Sequence, residues 1–299
     1  MAAGLNKISL QSFCVCLLVF LACSAQARLR EEQLDVPVRV VDAFGKVFEQ
    51  SIKVTIFRED QRALPSPVLI LNHGRAPEAA GRAQLGRARY SDAAKFFVER
   101  GFIVAVPTRI GYGVTGGEDL ENTGVCNKKN YPPGYAAAAQ QTLAVLAVMR
   151  ERSDALKDRA VVAGQSYGGA TAITVASMNV PGLQAAVNFA GGGGGNPVTQ
   201  PQNPCAPHLL ERMFQNYGET ARIPTLWIYA ENDMYFGPAL PKKWFDAYVA
   251  AGGNGEFTQF PQQPENGHLL FSRHPELWQP RVSAFLDSIG FAAPPAKGN

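Results

Sequence analysis

Ser166, Asp233 and His268 are residues whose types could together carry out nucleophilic acyl transfer. Ser166 lies in Gly164-Gln-Ser-Tyr-Gly168-Gly169, between the apolar run Arg159-Ala-Val-Val-Ala163 and the segment Ala170-Thr-Ala-Ile-Thr-Val-Ala-Ser-Met178. The run predicts a strand and the segment a buried helix. The serine then falls at the apex of a sharp strand-to-helix turn, its hydroxyl above the sheet edge. Glycine suits positions 164 and 168, because a Cβ at either would collide as strand and helix pack.

A serine nucleophile needs a base to take its proton and an acid to orient that base. The chain holds four histidines. His268, in Glu265-Asn266-Gly267-His268-Leu269, follows the last expected strand in a loop from which a ring can reach back over the sheet. His73 lies ahead of the serine in a strand-end turn. His208 and His274 stand at helix entrances and read as surface or capping residues. Asp233 follows a late strand and precedes the next helix; Glu231 is its nearest competitor, and a helix cap is its alternative role. The oxyanion would be met by the backbone N–H of Tyr167, at the positive end of the following helix, and by that of Arg75.

Arg75 and Arg109 both follow strands, so either guanidinium could recognise a substrate carboxylate. Arg109 also reads as a brace for its own loop. Tyr112 is a weaker substrate contact, and Tyr131 and Trp227 read as packing. The run Gly191–Gly195 reads as a flexible connection beside the pocket mouth, without the lysine of a phosphate loop. The Pro- and Asn-rich segment from Gly195 to Cys205 would form a small cap.

The elements that must position these residues follow from apolar patterning. Val36–Val41 and Ser51–Phe57 alternate about Gly45 and predict an antiparallel hairpin. Thereafter the buried strands Val68–Leu71, Phe102–Val106 (ended by Pro107), 159–163, Leu183–Phe189, Thr225–Tyr229 and Phe257–Phe260 alternate with helices. Those helices are expected at 91–100 (capped by Ser91, stopped by Gly101), 135–151, 170–178, 206–217, 239–251 and 275–289, with a loop over 107–134. Continuous apolar strands separated by helices predict an α/β fold, a mostly parallel sheet covered on both faces. Ligands bind such sheets beyond the carboxyl ends of the strands, where the residues above fall.

Residues 1–27 read as a secretory signal, with Lys7, the apolar core Phe13–Ala22 and the cleavage site Ala25-Gln26-Ala27. Lipoprotein processing at Cys23 is the alternative. The apolar core is too short for a transmembrane helix. The mature chain, 28–299, would then be a secreted or periplasmic single domain with a frayed end near 292–299. It would keep only Cys126 and Cys205, an even pair in an oxidising compartment, which predicts one disulfide. Such a bridge would stabilise by about 4.5 kcal/mol through the loop it closes. Removing Lys7 takes the formal charge from +3 to +2, too balanced to imply a nucleic-acid partner. No Cys/His cluster or nucleotide motif implies a metal or organic cofactor.

The serine motif, His73-Gly-Arg-Ala-Pro77, Glu231-Asn-Asp233 and Asn266-Gly-His268, each following a strand, resemble the α/β-hydrolase superfamily. Tyr167 and Pro224-Thr-Leu-Trp-Ile-Tyr-Ala-Glu-Asn-Asp233 are similar to its dienelactone-hydrolase and prolyl-oligopeptidase-like branch. The resemblance covers roughly residues 37–290. It implies hydrolysis of a small-molecule carboxylic ester through an acyl-enzyme. Dienelactone hydrolases proper usually carry a cysteine nucleophile and are cytosolic, so the resemblance extends to ester hydrolysis rather than to that lactone. A peptidase or amidase of the same fold, and a non-catalytic binding protein, are the alternatives.

Overall fold

Apolar side chains in the middle strands separate by parity. Val68 and Ile70 enter one buried cluster, Leu69 and Leu71 the other, and Val162 and Val161 divide in the same way. Burial on both sides requires helices on both faces. The computed structural model, which describes residue 1, residues 29–60 and residues 65–294, has that arrangement. Its strands are β1 (Leu29–Val41), β2 (Val47–Glu59), β3 (Ser66–Asn72), β4 (Ile103–Thr108), β5 (Ala155–Gln165), β6 (Leu183–Phe189), β7 (Thr225–Ala230) and β8 (Gly255–Phe260). They form one sheet in the order β1-β2-β4-β3-β5-β6-β7-β8. The N-terminal hairpin is antiparallel, β2 joins β4 antiparallel, and the remaining pairings are parallel.

The helices are α1 (Ala79–Ala83), α2 (Ser91–Glu99), α3 (Tyr131–Arg150), α4 (Tyr167–Ser177), α5 (Pro207–Thr220), α6 (Ala239–Ala250), α7 (Leu270–Arg273) and α8 (Pro275–Ser288). Helices α3 to α6 pack on one face, against Val162, Trp227 and the inward side of the hairpin. Helices α2, α7 and α8 cover the other through Phe97, Phe271, Trp278 and Phe285.

Three local expectations are corrected. Pro107 does not end its strand but lies within β4, opposite Val54 of β2. Pairing of β4 with β3 stops at Ala105, so the missing N–H of Pro107 interrupts no ladder on that side. Helix α3 starts at Tyr131 rather than 135, with Pro132 and Pro133 in its first turn, where N–H groups have no intrahelical acceptor. Ser91 is the first residue of α2 and not its cap; Tyr90 holds the cap position at φ 47°. Gly101, at φ +100°, does follow that helix. The expected signal segment beyond Met1, and residues 295–299 of the tail, lie outside the described residues. Among those described, no helix is long and apolar enough to cross a membrane.

Strands β3 to β8 run parallel, so their carboxyl ends share one edge of the sheet. His73–Arg75, Arg109, Ser166, Gly191–Gly195, Asp233 and His268 follow β3, β4, β5, β6, β7 and β8 in that order.

Candidate active site

Ser166 sits between β5 and α4 at φ 56°, ψ −121°, a conformation that costs about 1–3 kcal/mol in a residue with a Cβ. Surrounding hydrogen bonds hold it there. Its N–H donates to the Phe189 carbonyl (2.8 Å), and its own carbonyl accepts from Gly169 (2.9 Å) and Ala170 (3.1 Å). A Cβ on Gly164 would overlap the Gly168 carbonyl, and one on Gly168 would overlap the carbonyl of Asn72. Both positions therefore require glycine for close approach. The turn from β3 lies alongside, since a Cβ on Gly74 would come 3.2 Å from that of Ser166. Among the described residues, the N–H groups of Tyr167 and Arg75 have no acceptor. The first of these opens α4, where the helix dipole favours negative charge.

Asp233 is fully buried and His268 nearly so. His268 Nδ1 is 2.8 Å from Asp233 Oδ2, so a proton on Nδ1 has this carboxylate as its acceptor. The other oxygen, Oδ1, accepts from the N–H groups of Tyr235 (2.7 Å) and Phe236 (3.1 Å). Asp233 does not cap the next helix, whose cap position is held by Pro238; one of its oxygens faces His268 and the other closes the turn after β7. Asn266 clips the two loops together by accepting from Met234 N–H and His268 N–H. Tyr235 stacks on the His268 ring at 4.0 Å between centroids, and Gln165 Nε2 donates to the His268 carbonyl (3.1 Å). Among the described residues, Ser166 Oγ has no hydrogen-bond partner. Glu231 and His208 are exposed, and His274 precedes α8, facing Glu276 at 3.4 Å.

Of the two arginines, Arg75 lines the cavity with its guanidinium already engaged, and Arg109 takes the bracing role rather than the substrate-binding one. Arg75 holds Asp119 in a two-pronged ion pair, both contacts 2.6 Å, and Arg82 shares the same carboxylate at 3.0 Å. Arg109 is fully buried, paired with the equally buried Glu121 through Nε and Nη2. Tyr112 OH donates to Glu121 Oε2 (2.5 Å). Arg109 and Tyr112 therefore stand behind the cavity wall and do not line it, which corrects the expectation that either would contact substrate. Burial would lower the Arg75 pKa, but its bonds to Asp119 and the nearby Tyr112 and Glu121 raise it. Burial and the Glu121 charge push Tyr112 up. Burial, reinforced by the Arg109 charge, pushes His73 well below its ordinary value against a smaller upward pull from Gly74.

A cavity of about 420 Å³ opens at Ser166. Asn122, Thr123, Lys129, Asn196, Thr199 and Gln200 are among the residues that line it, and its surface is mostly polar. Lys129, which sequence reasoning passed over, is half-buried and has no carboxylate partner among the described residues. It donates to Thr123 Oγ1 (3.2 Å) and the Gly124 carbonyl (2.6 Å), and burial with the nearby Arg75 charge lowers its pKa. Gly192–Gly195 also line the cavity, as a stretch of bare main chain. This segment is not the loose connection expected. A Cβ on Gly192 would come 2.8 Å from Phe236, and one on Gly193 would come 2.5 Å from Tyr135 Oη. Cys126 and Cys205 are joined in a disulfide, tying the segment beyond these glycines to the 107–134 loop. The only hint of the charged cluster was Glu118-Asp119-Leu-Glu121, an acidic run that follows Arg109 in the same loop. Among the described residues, no group of three or more His, Cys, Asp or Glu could hold a metal ion.

The profile of the dienelactone hydrolase family matches residues 59–277, and this chain belongs to that family of hydrolases. No curated protein matches it by sequence. Solved structures share its α/β-hydrolase fold at low identity. An acetyl xylan esterase from Paenibacillus sp. R4 is 14% identical, with a TM-score of 0.58 over 88% of this chain and 89% of the other. An esterase of Pyrococcus furiosus is 15% identical, with a TM-score of 0.57 over 87% and 91%. The acylaminoacyl peptidase of Pyrococcus horikoshii is 12% identical, with a TM-score of 0.59 over 92% of this chain and 44% of that one.

Proposed function

We propose that this hydrolase is a secreted serine esterase. The observation that carries the reading is the Asp233–His268 pair, 2.8 Å apart, at the same sheet edge as a serine held in a strained strand-to-helix turn. Ser166 Oγ attacks the ester carbonyl while His268 Nε2 takes its proton. Asp233 keeps the tautomer and stabilises the imidazolium. The developing oxyanion is met by the N–H groups of Tyr167 and Arg75, each such donor being worth about a hundred- to a thousandfold in rate. The imidazolium then protonates the departing alcohol, and water repeats the sequence on the acyl-enzyme. The Ser166–His268 hydrogen bond forms as substrate fills the site, since such contacts are often long in free enzymes.

The cavity favours a polar ester. Arg75 and Arg82 share one carboxylate, leaving a positive excess, and Lys129 carries no counter-charge of its own among the described residues. Lys129, rather than Arg75 or Arg109, is the cation a substrate carboxylate would meet. The Cys126–Cys205 bridge suits an oxidising compartment.

Labelling the mature protein with a fluorophosphonate, beside Ser166→Ala, tests the reading. Labelling confined to the protein with Ser166 supports an activated serine. A well-folded wild type that neither labels nor turns over short-chain esters would favour a binding protein on this fold.

A further inference from the structure

The oxyanion donor on the β3 turn belongs to the peptide that links Gly74 and Arg75. In a trans peptide the C=O and N–H point in opposite directions. Whatever holds the Gly74 carbonyl therefore aims the Arg75 N–H. That carbonyl lies 2.7 Å from His73 Nδ1. The ring's other nitrogen, Nε2, accepts the backbone N–H of Arg109 (3.2 Å), so Nε2 carries no hydrogen and Nδ1 must be the donor. The His73 side chain is buried, with Tyr112 edge-on at 4.5 Å. It thus has one tautomer and one use for its proton.

The preceding peptide is held as well. Gly74 N–H donates to Tyr90 OH (3.3 Å), which itself donates to Gln165 Oε1 (2.9 Å). Gly74 is therefore gripped at both polar groups, its N–H by Tyr90 and its C=O by His73. The grip matters because this residue packs against the nucleophile. Glycine is also the residue type with the most backbone freedom to lose. Without the hold, the Gly74–Arg75 peptide could rotate its N–H away from the position where charge develops.

We propose that His73 is a positioning residue for the oxyanion hole: its Nδ1–H fixes the Gly74 carbonyl and so turns the Arg75 N–H toward the tetrahedral intermediate. The proposal rests on the serine-esterase reading and assigns His73 no contact with substrate. Its effect is felt in the transition state and not in ground-state binding, because the oxyanion exists only there.

Two substitutions separate the ring's nitrogens. Asn places its amide nitrogen where Nδ1 was and can still donate to Gly74. Gln places its amide group where Nε2 was and can serve only Arg109. Steady-state kinetics on p-nitrophenyl acetate, with inhibition by a trifluoromethyl ketone that forms an oxyanion on serine, would be measured for His73→Asn, His73→Gln and His73→Ala. The expected result is a kcat lowered about tenfold to a hundredfold in the Gln and Ala variants, below the full loss of one donor. KM should stay nearly unchanged, inhibitor affinity should fall in parallel with kcat, and Asn should recover most of both. Equal losses in Asn and Gln that follow their melting temperatures would overturn the proposal in favour of a packing role, as would wild-type kcat in His73→Gln. Turnover that survives in Ser166→Ala would instead sink the esterase reading beneath it, and a wild type inert toward esters would remove both.

Discussion

Asp233 and Glu121 are both fully buried carboxylates near Ser166, yet their surroundings differ in kind. Glu121 meets the permanently charged Arg109 and the Tyr112 hydroxyl. Asp233 meets a histidine and two backbone N–H groups. A guanidinium cannot give up its proton in a protein, so the first pair is fixed in charge. An imidazole can gain and lose one, so in the proposed mechanism the second pair would hold a carboxylate ready for a charge that comes and goes. Burial makes a carboxylate consequential; its partner decides whether the pair's charge is fixed or free to change.

Substitutions can break that contrast. Ser166→Ala and His268→Ala should each remove nearly all turnover, with the double variant little worse, because triad members act as a unit; additive losses would mean the base is wrongly assigned. Asp233→Asn should lower kcat about ten-thousandfold with a melting temperature close to wild type. Glu121→Gln should do the reverse. It strands the buried Arg109 charge and should destabilise by about 3–5 kcal/mol, seen in urea unfolding, while the folded fraction still labels with fluorophosphonate. If Glu121→Gln were stable but inactive, the two carboxylates would not differ as described. Lys129→Ala should lower kcat/KM about tenfold for a p-nitrophenyl hemisuccinate and little for the acetate, the scale of one charge-assisted contact; equal effects on both would remove Lys129 from substrate recognition.

The smallest effect concerns pH. Burial would raise the Asp119 pKa, but its bonds to Arg75 and the Arg82 charge leave it lowered. A depressed carboxylate contributes stability above its unfolded value and loses it as pH falls through the folded one. Melting temperature should therefore drop below about pH 4, less steeply in Asp119→Asn. An unchanged slope would show that Asp119 is not a source of acid sensitivity.

The sheet was legible because burial on both faces leaves continuous apolar runs. Leu183–Phe189 begins and ends where the runs predicted. Boundaries went astray where a non-local contact overrode a local rule. Tyr90 enters α2 in a left-handed conformation that Ser91 as a cap would have made unnecessary, and its hydroxyl is held by Gly74 and Gln165. Arg109 was legible as a brace for its own loop, but the partners of Arg75 and Arg109 were not, because Asp119 and Glu121 lie in a loop without periodicity. His73 acts through a backbone carbonyl one residue away, and side-chain patterning carries no trace of that.

The run Gly191–Gly195 has a further consequence. A side chain added at Gly192, Gly193, Gly194 or Gly195 would meet Phe236, Tyr135, Tyr131 or Tyr235 respectively, so this stretch offers little to exchange by point mutation. Adaptation of this cavity to a new ester is more open at lining residues that carry replaceable side chains, such as Asn122, Lys129, Asn196 and Gln200. The glycine stretch keeps its shape through change in sequence, and selectivity is free to drift at the side chains that share the cavity with it.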